Sequence, residues 1–153
     1  MVFIYDSGSI FEASLDMVWR LAQDHVKHGN KIHPNTRNNR TEIISETSFI
    51  NSWEQDETNG QTIRMGIKGT FYYPLGIAFE ILEGPFVDSK YFVYYFPLNS
   101  DNSKTGVTVV GNFKSNTLPE DQIKSVVFNF LEKVFDEDVI YLNTLEQDKT
   151  SLT

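Results

Sequence analysis

The last quarter of the chain carries hydrophobic residues at helical spacing. At about 100° per residue, residues 117–147 place these side chains on one face of a helix, and Glu132 and Lys133 on the other. A helix of about 30 residues is about 45 Å long, so we predict that it lies across a wide sheet. We expect Thr117 to cap it, with Glu120 completing a capping box. The apolar face consists of Ile123, Val127, Phe130, Leu131, Val134, Tyr141, Leu142 and Leu145.

Upstream, hydrophobic and polar residues alternate with the period of two that is typical of β-strands. The alternation is clearest over residues 62–73, where Met65 and Phe71 share a face. The preceding Asn59-Gly60 pair predicts a hairpin turn, because both residues tolerate positive φ. Further strands are predicted at 40–57, which holds two, and at 77–81, 90–97 and 107–113.

The N-terminal segment predicts one more strand and then two short helices. Residues 2–13 alternate around Gly8, which indicates a strand bent or bulged near its middle. Ser14 is a plausible N-cap for the first short helix. A second helical segment over residues 24–33 ends before Pro34. The order of elements is that of an α+β fold, in which about seven antiparallel strands form one curved sheet and the C-terminal helix covers it.

Composition narrows the classes of partner. The 153 residues fit a single domain, 1–153, and their 12 Phe and 7 Tyr suffice to fill a core or line a cavity. The net charge of −8 disfavours nucleic acid and anionic membranes. The chain has no cysteine and no apolar run near the roughly 20 residues of a membrane span. Its first residues show no basic segment followed by an apolar run, so we expect no signal peptide. We therefore expect a cytoplasmic protein without stable membrane insertion; its oligomeric state stays open.

Residues 10–19, with the sequence Ile-Phe-Glu-Ala-Ser-Leu-Asp-Met-Val-Trp, resemble the strand end, cap and Val-Trp helix of the START-like helix-grip superfamily (SRPBCC). Asp24 and the His33-Pro34 step extend this similarity. The superfamily includes polyketide cyclase/dehydrase proteins, lipid-transfer domains and pollen allergens. Resemblance to it implies a curved sheet gripping the long helix, with a hydrophobic cavity between them. A histidine replaces the aromatic of the aromatic-Pro step, and the Gly-rich loop of the plant branch is missing, so no plant ligand carries over.

Three functions are consistent with this reading. The first is binding or transport of a small hydrophobic or amphipathic ligand in the cavity. The second is an enzyme of the polyketide cyclase/dehydrase type, using a pocket Tyr, His or Asp for proton transfer. The third is a protein-interaction module, like chaperone-regulating members of the superfamily, with a filled cavity. The predicted wall residues are Met65, Ile67, Phe71, Tyr73, Phe79, Ile81, Val109, Phe113, Val127, Phe130, Leu131 and Val134.

Asp138 interrupts the apolar face of the long helix. A carboxylate there would bind the polar end of a ligand or act as an acid or base, since burial raises its pKa. The alternative, which we favour, is that the acidic run 136–138 marks a bend or the mouth of the groove and leaves Asp138 in water.

The histidines form the last candidate group. Two imidazoles and a carboxylate are able to hold zinc, but His25, His28 and His33 match no recognised ligand spacing, so we expect no metal and no cofactor. They lie in a basic stretch of an acidic chain, which favours capture of an anionic ligand head at the cavity entrance. The basic residues of this stretch are Lys27, Lys31, Arg37 and Arg40.

Overall fold

The chain folds into one antiparallel sheet and two helices. The structure is a computed structural model that describes residues 1–57 and 59–151, with only the backbone described over 149–151. No helix within these ranges is long and apolar enough to cross a membrane. The elements in chain order are β1 (Val2–Phe11), α1 (Leu15–Ile32), β2 (Thr36–Ile43), β3 (Ser48–Asp56), β4 (Thr62–Tyr72), β5 (Gly76–Glu83), β6 (Lys90–Pro97), β7 (Thr105–Phe113) and α2 (Glu120–Ser151).

The seven strands follow the order β1-β7-β6-β5-β4-β3-β2, with every neighbouring pair antiparallel. Strands β2 to β7 are joined in sequence by turns, including the hairpin predicted at Asn59-Gly60, while α1 connects the two edge strands. The register shifts between Asp6 and Ser9 in β1, and Gly8 there has a φ of 95°. This bulge, predicted from the sequence, bends the edge strand.

Helix α1 joins the two predicted short helices into one element with a kink. Its N-cap is the predicted Ser14, whose hydroxyl accepts a hydrogen bond from the Met17 amide at 3.3 Å. The backbone of His28 leaves helical geometry, with φ −136° and ψ 32°. The helix then resumes and ends at Ile32, next to the Pro34 that disfavours its continuation. The kink changes the direction of the last turn, which matters for the site described below.

Helix α2 begins at Glu120, without the predicted capping box. The hydroxyl of Ser115 accepts hydrogen bonds from the amides of Thr117 and Leu118. Glu120 forms an ion pair with the N-terminal amine of Met1. The capping prediction is therefore wrong. The helix begins three residues after Thr117, and the Glu120 carboxylate pairs with the amine of Met1.

Buried side chains pack α2 at both of its ends. Near its start, Ile123 and Val127 are 1% and 2% exposed and pack against β1 and β7. Near its end, Leu142 and Leu145 pack against α1 and Phe11. A third cluster, built around Trp19, Ala22 and Ile77, joins α1 to β5. Between the two ends of α2, the helix and the sheet stand apart.

Candidate functional site

A cavity of about 740 Å³ occupies the space between the inner face of the sheet and the middle of α2. This volume lies within the range of about 300–1,000 Å³ that is usual for small-molecule pockets. The gap between helix and sheet is thus open, in contrast to the filled cavity of the third hypothesis. Phe130 lines this space and is 39% exposed.

Most of the predicted wall residues line the cavity. Alternation in β4, β5 and β7 and the helical period of α2 place them there. Those lining it are Met65, Ile67, Phe79, Ile81, Val109, Phe113, Val127, Phe130, Leu131, Val134 and Asp138.

The structure corrects the placement of Phe71 and Tyr73, which lie outside the cavity wall. The Phe71 ring packs between Phe49 and Trp19, at centroid distances of 5.2 and 5.9 Å. Tyr73 follows the end of β4, is 69% exposed, and rests against Trp19 at 5.2 Å. Both misplacements have one cause. Helix α1 places Trp19 against this end of the sheet, and the Trp19 ring separates Phe71 and Tyr73 from the cavity.

Strand β6 supplies wall residues that periodicity did not identify. Tyr91, Val93 and Tyr95 line the cavity, within a run that is aromatic or β-branched on both faces of the strand. Burial raises the pKa of both tyrosines far above the ordinary value, so their hydroxyls stay protonated as hydrogen-bond donors. Alternation of apolar and polar residues is absent there, because both faces of the strand are apolar.

One corner of the cavity is ionisable. We call His25, His33, Glu137 and Asp138 the ionisable corner; all four line the cavity. The Nε2 atom of His25 lies 3.1 Å from Nε2 of His33 and 3.1 Å from Oδ1 of Asp138. Nε2 of His33 lies 3.7 Å from the same carboxylate oxygen. The side chains of His25, His33 and Asp138 are 25%, 20% and 14% exposed, so the group is mostly buried but open on one side.

The kink in α1 assembles this corner. In a straight helix, residues eight apart lie about 12 Å apart along the axis, yet the rings of His25 and His33 are 5.1 Å apart. The break at His28, and the non-helical backbone of His33 itself, turn the second ring back toward the first. Helix α2 presents its two carboxylates to them and is held to α1 by a hydrogen bond of 2.9 Å from the Tyr141 hydroxyl to Asp24.

The two imidazoles differ in their affinity for a proton. Burial opposes the charge on His25, but the Asp138 carboxylate, the Leu21 carbonyl and Asp24 outweigh it and raise the pKa of His25. Burial, followed by repulsion from His25, lowers the pKa of His33 despite Asp138 and Glu137. The first proton taken up by the pair therefore belongs on His25.

The expectation that Asp138 lies in water is wrong. Its carboxylate is mostly buried and lies 3.1 Å from Nε2 of the His25 imidazole. The acidic run over 136–138 gave the impression of a solvated surface, but only Asp136 is exposed. The partners of Asp138 lie more than 100 residues away in sequence, so no local pattern reveals them.

The basic stretch reaches the cavity mouth with its charge partly neutralised. Lys27, Arg37 and Arg40 lie on the cavity surface. The Arg37 guanidinium donates to both carboxylate oxygens of Asp56, at 3.0 and 2.8 Å, and lies 3.9 Å from Glu54. Arg37 and Thr62 lower the pKa of Asp56 to about 2. This arginine is thus committed to carboxylates of the chain itself.

Solved structures share this architecture at low sequence identity. The Zhui aromatase/cyclase from Streptomyces sp. R1128 is 12% identical, with a TM-score of 0.70 over 97% of this chain and 95% of its own. Ara h 8.0201 is 14% identical, with a TM-score of 0.69 over 94% and 98% of the two chains. A START superfamily protein from Mycobacterium smegmatis is 15% identical, with a TM-score of 0.67 over 94% and 98%.

These similarities establish the fold of the chain. No protein-family model matches the chain, and no curated protein matches its sequence. The described part of this chain has a seven-stranded antiparallel sheet, a helix after the first strand and a long C-terminal helix. The chain has the START-like helix-grip (SRPBCC) fold, as the sequence resemblance predicted.

Proposed function

We propose that the protein binds a small, mainly apolar molecule in the cavity between the sheet and α2. The observation that carries this proposal is the open space of about 740 Å³, bounded by apolar side chains of β4, β5, β6, β7 and α2. Apolar surface left uncovered in the interior of a chain gains stability when an apolar guest displaces water from it. Neighbours of the same fold include an aromatase/cyclase, which is consistent with a guest of this type.

The ionisable corner supplies the polar contacts of this guest. Glu137 and Asp138 face it with their carboxylates, and His25 is the imidazole that carries the first proton. A carboxylate or phosphate on the guest would meet these two acids, whereas a hydroxyl or carbonyl would find both donors and acceptors. The paired state of Arg37 gives an anionic head little support at the mouth. The guest we propose therefore carries a neutral hydrogen-bonding group.

A fluorescence titration with Nile red, an uncharged apolar dye, tests the apolar part of this proposal. The folded protein is expected to bind the dye saturably. Ile67→Trp, which puts an indole into the cavity, should lower the affinity for the dye by at least about tenfold, equivalent to about 1.4 kcal/mol of binding free energy. Ile43→Trp is the matched control, because Ile43 is 64% exposed and lies outside the cavity lining.

The proposal fails if native protein shows no saturable binding, or if Ile67→Trp and Ile43→Trp bind the dye equally well. Circular dichroism establishes that both variants are folded. Phe130→Ala adds a second measurement, since removing this ring from the wall should weaken the dye while leaving the corner intact.

An enzyme acting on the same guest is the second candidate function. It is favoured by one observation, namely that His25 and Asp138 form an ionisable pair 3.1 Å apart on the cavity surface. Such a pair is suited to proton transfer at a carbonyl-bearing guest. Native mass spectrometry of gently purified protein identifies a molecule that travels with it. An enzyme should convert a precursor of that molecule, and Asp138→Asn should retain binding but lose turnover; a binding protein shows no turnover in either form.

A further inference from the structure

We propose that His25, His33 and Asp138 bind a zinc ion at the wall of the cavity. Their three ligand atoms lie within 4.8 Å of one another, with individual separations of 3.1, 3.1 and 3.7 Å. Tetrahedral zinc with bonds of about 2.0–2.1 Å holds its ligand atoms about 3.3 Å apart. The observed separations bracket this value, so an ion fits at the centre without movement of the backbone. The site does not depend on the proposed apolar guest.

The outer ring nitrogens fix both imidazoles in the tautomer that zinc requires. Nδ1 of His25 lies 2.8 Å from the Leu21 carbonyl, which only accepts, so this nitrogen carries the hydrogen. Nδ1 of His33 lies 3.2 Å from the Glu137 carboxylate, which makes it a donor as well. Each neutral ring then leaves its Nε2 unprotonated, and the two Nε2 atoms lie 3.1 and 3.7 Å from the same Asp138 oxygen. Metal-binding histidines in proteins usually have such a carbonyl or carboxylate behind them.

Three converging acceptors are stable only with a proton or a metal ion between them. With both rings neutral, two lone pairs and a carboxylate oxygen would meet at about 3–4 Å with no hydrogen among them, which is repulsive. A proton on His25 relieves the conflict for one ring. Zinc relieves it for all three atoms, and its binding releases that proton.

The surroundings leave one coordination position open. Two histidines and one carboxylate are a usual set of three protein ligands for a zinc that also binds water or a ligand. Here the three side chains are each partly exposed toward the cavity. The fourth position therefore faces the space proposed for the guest.

Calorimetric titration of the EDTA-stripped full chain with Zn²⁺ tests the site. Wild-type protein should bind one zinc per chain. His33→Ala should weaken zinc by more than about 100-fold, because loss of an outer partner alone commonly costs 10–100-fold. Asp138→Ala should weaken zinc as strongly, and Asp136→Ala is its matched control: it removes the same side chain from the same helix, at an exposed position outside the cluster, and should bind as the wild type does. Glu137→Gln should fall between them.

Cobalt gives a second measurement that does not depend on the folding of a variant. Co²⁺ bound by wild-type protein should show the intense visible absorption of four-coordinate cobalt, and Zn²⁺ should abolish it. Absence of stoichiometric zinc binding overturns the proposal, as does zinc binding that persists in His33→Ala, which would mark adventitious surface carboxylates. A weak, six-coordinate cobalt spectrum also overturns it. Dye binding in the presence of EDTA tests the cavity separately.

Discussion

The two ends of α2 and its middle make unlike contacts with the rest of the molecule. At the ends, Ile123 and Leu142 are almost completely buried against β-strands or α1. In the middle, Phe130 faces a cavity, and about two turns later Asp138 meets two histidines. The stability of the helix thus comes from its ends, which leaves the middle free to carry binding residues. A continuous seam of packed side chains would have left no room for a guest.

Shortening a buried side chain at one end of α2 should give the largest loss of stability. Ile123→Ala is expected to lower the free energy of unfolding by about 2–5 kcal/mol, the usual cost of emptying a filled site. Phe130→Ala should cost only about 1 kcal/mol, because its ring is 39% exposed beside an existing cavity. Urea denaturation of both variants measures the difference. Equal losses would mean that the middle of α2 is packed as tightly as its ends.

We expect the contact between His25 and Asp138 to contribute an intermediate amount to the free energy of unfolding. A double-mutant cycle on His25→Ala and Asp138→Ala is expected to give a coupling energy of about 0.5–3 kcal/mol, as for contacting residues in general. Measurement at pH 6 in EDTA suits the pair, since the pKa of His25 is raised above its ordinary 6.5 and the ring is charged there. Additive losses would show that the 3.1 Å contact contributes nothing to the fold.

The apolar wall was largely predictable, because it rests on two local periods. Met65 and Ile67 alternate with polar residues along β4, and Val127 to Val134 follow the helical period. Tyr91 and Tyr95 escaped the same reasoning, because β6 is apolar on both faces. Sequence periodicity identifies a wall strand whose other face is polar, and it fails for a strand that is apolar on both faces.

The ionisable corner was not predictable, because it depends on tertiary arrangement. The sequence identifies the three histidines as candidates, but it does not indicate that His25 lies against His33. Nothing local indicated that α1 breaks at His28 and turns the last ring back. Asp138 was recognised as a break in the apolar face, yet its partners come from the opposite part of the chain. Alternation also led us to include Tyr73 in the predicted wall. The pattern within one strand contains no information about Trp19, which packs against that end of the sheet.

The dye affinities of variants at Tyr73 and Tyr91 locate the boundary of the cavity. Tyr73→Ala should leave the affinity for the fluorescent dye unchanged, because this ring lies outside the cavity and is 69% exposed. Tyr91→Ala removes a ring from the wall and should weaken the dye severalfold. Titration of both folded variants compares them directly. A loss of affinity in Tyr73→Ala alone would place the guest on the outer side of Trp19.

We expect the smallest contribution to stability at the cavity mouth, where Arg37 forms an ion pair with Asp56. The pKa of Asp56 is about 2, against an ordinary 3.8, and NMR titration of the wild-type carboxyl should show this depression. Because the folded-state pKa is the lower one, the pair stabilises the fold above pH 3.8 and loses this contribution as the pH falls toward 2. Arg37→Gln should return the pKa toward 3.8, whereas Arg40→Gln, which removes a neighbouring charge, should leave it depressed. An ordinary wild-type pKa would mean that Arg37 is free to meet an anionic guest, and the neutral guest proposed for the cavity would lose that support.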